Sequence, residues 1–249
     1  RNIAIGYNAL TAQNAGADAY NVAIGYEAGK SVTTGIYNTL MGGVAGEALT
    51  TGSYNIAIGH GALNGEDAHG KNVAVGHHAL LVQDAGADAY NIAVGYQAGL
   101  TMTTGIENVI IGGNAGDALT TGSYNTAVGR SALSLEDTGT RNTAIGYGAL
   151  GQLDYNGSGQ NTAIGFVAGT AITTGIKNTI LGSECGDALT TGENNIVIGF
   201  NASASAVDVD NEITLGDANI SAFRCADQSI AALSDGRDKS DVKDSGFGL

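Results

Sequence analysis

The 249-residue chain has no proline and no tryptophan, and charged residues make up only 14% of it. Charge that sparse falls well short of the quarter expected of a soluble globular domain, so an ordinary solvated enzyme fold is a poor match. Basic residues are scarcest: ten Lys plus Arg stand against 24 Asp plus Glu, a formal net charge of −14. Such a field repels phosphate backbones and anionic headgroups, which argues against nucleic acid as a partner. No apolar run approaches the roughly 18 residues of a membrane helix, so no membrane insertion is expected. The opening residues, Arg1 to Gly6, have neither an initiator methionine nor a signal peptide's hydrophobic run, and the chain reads as a soluble piece of a longer product. Cysteine is nearly absent. Cys185 and Cys225 lie in unrelated surroundings with no CxxC or Cys/His spacing, which predicts two free thiols and neither a zinc site nor a disulfide framework.

What the chain has instead is glycine, at 40 positions, and an apolar fraction of 43%. Both follow a repeat. An asparagine opens each copy, at Asn2, Asn21, Asn38, Asn55, Asn72, Asn91, Asn108, Asn125, Asn142, Asn161, Asn178 and Asn195, and a glycine follows four places later every time. Spacings of 19, 17, 17 and 17 residues recur, so four copies make a unit of 70 residues. A degraded thirteenth copy, Glu212 to Gly216, keeps the phase. Residues one and three places after each Asn are aliphatic or Thr, such as Ile3 and Ile5 or Thr162 and Ile164, and this period of two predicts a short strand. The residue between them is Ala in eight of twelve copies. The first face is expected to be buried within the chain and the Ala-rich face to be covered by another layer or chain.

The flanking residues suit corners at positive φ, which Gly accepts freely and Asn better than most: Asn2 and Gly6, Asn21 and Gly25, Asn72 and Gly76, Asn108 and Gly112, Asn142 and Gly146. Thr-Thr-Gly triplets such as Thr33 to Gly35 mark a second turn. Each copy is thus expected to form one coil with room for two short strands. Thirteen coils stacked at about 4.8 Å would make a rod on the order of 60 Å long. A coil this small leaves apolar surface uncovered, and a homotrimer about the rod axis covers it without an open edge.

The segments Asn2-Ile-Ala-Ile-Gly-Tyr-Asn-Ala9 and Asn21-Val-Ala-Ile-Gly-Tyr-Glu-Ala28 resemble the head repeats of YadA-type trimeric adhesins, and more closely the related repeats of phage tail fibres. The resemblance spans about residues 1–216. It implies an all-β, trimeric, left-handed parallel β-roll, a β-solenoid of about 12–13 coils. Residues 217–233 read as a connector. Ser234-Asp235-Gly236-Arg237-Asp238-Lys239 then resembles the start of the endosialidase-type intramolecular chaperone, the peptidase S74 group, over residues 234–249. That resemblance implies self-cleavage between Leu233 and Ser234, with Ser234 as nucleophile and Lys239 as base, a role open to lysine once burial lowers its pKa. Only 16 residues remain from Ser234 onward, too few to complete such a chaperone, so no cleavage by this chain is expected.

Other candidate sites fare less well. His60 and His77 follow corner glycines in consecutive coils and, with His78, suggest a metal; equivalent places hold Tyr7, Tyr26, Tyr96, Arg130, Tyr147, Phe166 and Phe200, which describes a surface row, so no metal or cofactor is expected. Glu47, Asp117 and Asp187 share one phase of the unit, as do Asp18 and Asp88, and these periodic acids read as structural or solubilising. No break in the repeat offers a glycosidase cleft, and the Gly-Gly-x-Gly-x-Asp calcium motif is absent. The coil lengthens at Thr11 to Tyr20, Leu81 to Tyr90 and Gly151 to Gln160, where extra residues are expected to project, and Tyr20, Tyr90 and Tyr155 are candidate stacking partners for sugar rings.

These readings converge on a mechanical and adhesive rod without enzymatic turnover, part of a virion tail fibre made in the host cytoplasm. Its expected partners are two further copies of itself, other virion tail proteins, and a glycan or protein receptor on a bacterial surface. The alternative is the head of a bacterial trimeric autotransporter adhesin.

Overall fold

A computed structural model describes residues 1–16 and 18–222. They form thirteen strands of three residues each: β1 (Ile3–Ile5), β2 (Val22–Ile24), β3 (Thr39–Met41), β4 (Ile56–Ile58), β5 (Val73–Val75), β6 (Ile92–Val94), β7 (Val109–Ile111), β8 (Thr126–Val128), β9 (Thr143–Ile145), β10 (Thr162–Ile164), β11 (Thr179–Leu181), β12 (Ile196–Ile198) and β13 (Ile213–Leu215). All pair in parallel in chain order, in one 13-stranded sheet, and no helix occurs among the described residues. Register follows the repeat, as in Ile3 opposite Val22 and Ala4 opposite Ala23. The chain is a β-solenoid whose coils occupy Arg1–Asp217; residues from Ala218 onward belong to a second unit, described only to Ala222.

Each coil carries one strand where two were expected; the rest of the lap is turn and bend. Left-handed backbone supplies the curvature. The corner glycines from Gly6 to Gly199 take φ between +131° and +146°. They also stack closely: a Cβ on Gly112 would lie 2.5 Å from Gly129 O and 2.6 Å from Gly129 C, so neither conformation nor space admits a side chain.

The asparagines do something other than turn. Positive φ falls on the preceding residue, such as Tyr20 (54°), Lys71 (64°), Glu107 (55°) and Arg141 (61°), while Asn21, Asn72, Asn108 and Asn142 are buried and absent from the positive-φ set. Their side chains form an internal ladder. The backbone N–H of each Asn donates to Oδ1 of the Asn one coil earlier, from Asn21 to Asn2 at 2.9 Å through Asn195 to Asn178 at 2.9 Å, and Glu212 N–H closes the series on Asn195 Oδ1 at 2.8 Å. In most coils Nδ2 crosses to a backbone carbonyl of the far turn, as Asn38 to Gly52 at 2.9 Å and Asn108 to Gly122 at 2.9 Å, whereas Asn72 and Asn142 Nδ2 find no partner. One amide thus satisfies a backbone donor and a backbone acceptor that the narrow interior hides from water.

The two faces of the strand are also reversed relative to expectation. The middle residue, Ala23, Leu40, Ala57 or Ile110, is fully buried, and the aliphatic residues on either side point out. A 17-residue lap encloses only a few side chains, so the inward slot takes the small residue. Volume is conserved around it. An Ala column seven places after each Asn (Ala28, Ala45, Ala62) backs the strand, with Cys185 in the same column. The remaining space is filled by Leu eight places on, as Leu63 and Leu133, or by glycine there with an aliphatic three residues later, as Gly46 with Leu49 and Gly116 with Leu119. Cys185 is a free thiol that burial pushes above the usual range, and it serves as core filling. Cys225 lies outside the described residues.

Candidate interaction surface

With the inward slots taken, the other strand positions form an outer face. Ile3, Ile5, Ile56, Ile92, Val94, Ile111, Ile164 and Leu181 are all exposed on it. Two rows flank this face, one from the residue before each Asn and one from the residue after each corner glycine. Parallel in-register stacking repeats a given side chain at nearly the interstrand spacing, which suits aromatic rings. In the first row Tyr20 stacks on Tyr37 at 5.4 Å and Tyr37 on Tyr54 at 5.3 Å. Farther along, Lys71 lies 5.0 Å from the Tyr90 ring centre and Arg141 lies 5.5 Å from that of Tyr124. In the second row Tyr7 stacks on Tyr26 at 5.5 Å, His60 on His77 at 5.5 Å, His77 on Tyr96 at 5.4 Å and Tyr147 on Phe166 at 5.4 Å. The outer face thus carries aliphatic side chains on every strand, interspersed with threonines and flanked by aromatic and charged rungs, and exposed apolar groups recurring in this way are a common mark of an interaction surface.

The first two lengthened coils are tied to the body at their far ends, while their middles, around Gly16 and Gly86, are exposed. Lys71 Nζ sits 2.6 Å from Asp88 Oδ2 and donates to Tyr90 Oη at 2.9 Å, and Arg1 repeats the arrangement one unit earlier, 3.2 Å from Asp18 and 2.8 Å from Tyr20 Oη. Hydrogen bonds to Asp88 and then Tyr90 hold the exposed Lys71 ammonium above the usual lysine range. Tyr20 and Tyr90 are thus rungs of the first row. Tyr155 is not: it is half-buried against the core, and its N–H donates to Glu136 Oε2 at 3.3 Å. Tyr37, Tyr54 and Tyr124 belong to the same row and escaped sequence reasoning that looked only at the insertions, although all precede a repeat asparagine. His60, His77 and His78 come together, with ring nitrogens within 4.8 Å of one another, and burial followed by His77 and His60 holds His78 below the usual histidine range. Asp117 and Asp187 accept from Asn114 Nδ2 and Ser203 Oγ, at 3.1 and 2.8 Å. Ser234 and Lys239 lie outside the described residues.

No family model matches the chain, and no match was found among curated proteins or solved structures.

Proposed function

We propose that the solenoid is the rod of a homotrimeric appendage, a phage tail fibre segment that joins other tail proteins and presents its surface to a bacterial envelope. One observation carries the reading: every strand turns at least one aliphatic side chain to the outer face of the sheet, and many of these are exposed among the described residues. Isoleucines and stacked tyrosines left in water forgo burial worth about 25 cal/mol per Å², and symmetric association recovers it with identical surfaces. The resemblance of the Asn-x-Ala-Ile-Gly repeats to tail-fibre and adhesin-head repeats supports the same arrangement.

Sedimentation equilibrium tests the assembly. The expected mass is three times the 24.8 kDa chain; a monomer at micromolar concentration would dismiss the proposal. Adhesion is tested separately by binding of the labelled rod to whole bacteria and to their purified surface glycans. Saturable binding without release of oligosaccharide is expected, whereas glycan cleavage would make the rod a degrading enzyme.

A further inference from the structure

Glu66 is out of place. It stands eleven residues after Asn55, in a core column filled mostly by apolar residues such as Val32, Leu49, Met102, Leu119, Ile172 and Leu189, and its side chain has no solvent exposure. Where glutamine takes the same column, its amide is matched: Gln83 Oε1 accepts from Asn91 Nδ2 at 2.9 Å and its Nε2 donates to Thr103 O at 3.0 Å. Glu66 uses one oxygen, Oε1, to accept the His69 N–H at 3.1 Å; Oε2 is buried without a hydrogen-bond partner. A buried carboxylate oxygen left alone is costly unless a cation meets it.

We propose that Glu66, Asp67, His69 and Asp84 bind a divalent first-row transition-metal ion, Zn²⁺ or Mn²⁺. One ligand atom from each lies within 4.8 Å of all the others. His69 Nδ1 is buried, lacks a hydrogen-bond partner and stands 3.8 Å from Glu66 Oε1. One imidazole nitrogen with three carboxylates is the mixed nitrogen and oxygen set such ions take, and it disfavours Ca²⁺ and Mg²⁺, which prefer oxygen alone. Asp67 and Asp84 are exposed, which opens a path for the ion, and Glu66 anchors it to the core. One unit on, Glu136, Asp137 and Asp154 repeat the acids, but Gly139 replaces the histidine. There both Glu136 oxygens accept backbone N–H groups, from Gly139 at 2.7 Å and Tyr155 at 3.3 Å.

The test is calorimetric titration of the metal-stripped full chain with Zn²⁺ and, separately, Mn²⁺ and Ca²⁺. One saturable transition-metal site per chain is expected. His69→Ala and Asp84→Asn, both at the solvent side, should weaken it by more than about tenfold, a scale reached even by loss of an outer-shell partner. Glu66→Gln should do the same, while His77→Ala and Glu136→Gln leave it unchanged. Absence of saturable binding, loss in His77→Ala with retention in Asp84→Asn, or Ca²⁺ binding indifferent to His69→Ala would each overturn the assignment.

Discussion

At the residue scale the asparagine ladder is the part of the fold with fewest substitutes. Asn108 Oδ1 accepts the Asn125 N–H at 2.9 Å while its Nδ2 donates to Gly122 O at 2.9 Å. Asn108→Ala leaves both backbone groups buried and unmatched, a loss of about 2–5 kcal/mol. Asn72 provides the contrast. Its Oδ1 accepts the Asn91 N–H at 3.1 Å, but its Nδ2 has no partner, in a coil lengthened to 19 residues. Asn72→Ala should therefore cost about half as much in denaturant unfolding, and equal losses would remove the cross-coil bond from the account. Glu136 adds a pH dependence. Burial raises its carboxyl to about 7, against about 4.3 for an unfolded-chain glutamate. The folded state holds the proton more tightly, so this contribution is complete below about pH 4 and fades as pH rises through about 7. Between these limits the parent should lose up to about 3 kcal/mol more than Glu136→Gln, read as the difference in unfolding free energy across the pH series. Parallel curves would show that the group titrates normally.

At the scale of the coil, the strands were legible and their orientation was not. Asn-x-Ala-Ile-Gly places a three-residue strand between fixed corners, but Ile-Ala-Ile is apolar on both faces, so periodicity alone does not say which side is inside. Interior volume decides it: Leu40 and Ile110 enter the core only where Gly46 and Gly116 vacate space eight places after the repeat asparagine. The asparagine signal was ambiguous for a similar reason, because a residue that tolerates left-handed backbone and one that bridges buried peptide groups are the same residue. The aromatic surface was read in part. Tyr20 and Tyr90 drew notice through the insertions, whereas Tyr37, Tyr54 and Tyr124 share their phase in ordinary coils, and Tyr155 shares the insertion but not the phase. The outward face yields a test. In β6, Ile92 and Val94 are exposed while Ala93 is buried, so the double substitution Ile92→Glu and Val94→Glu leaves the internal packing of the coil intact. Far-ultraviolet circular dichroism should be unchanged while the sedimenting mass falls toward one chain. Retention of the oligomer would place the contact on another face.

For the whole molecule, charge and apolar surface pull in opposite directions. Each chain carries −14, and the proposed side-by-side association would bring like-charged solenoids together. Yet the strand positions of the face proposed for contact carry Ile, Val, Leu, Met and Thr, and the charges lie in the flanking rows, so few ion pairs at its centre are available to offset the repulsion. The attraction is largely indifferent to moderate salt; the repulsion is not. At about 0.01 M ionic strength the Debye length is roughly 30 Å and charges on neighbouring chains interact, while at about 0.15 M it contracts to roughly 8 Å. Association should therefore strengthen as NaCl rises across that range, seen as a lower concentration for half-assembly in sedimentation and a higher melting temperature at fixed protein. An oligomer that weakens with salt would mean that charge pairs such as Lys71–Asp88 reach across to another chain, and the apolar strip would then have to face a different occupant.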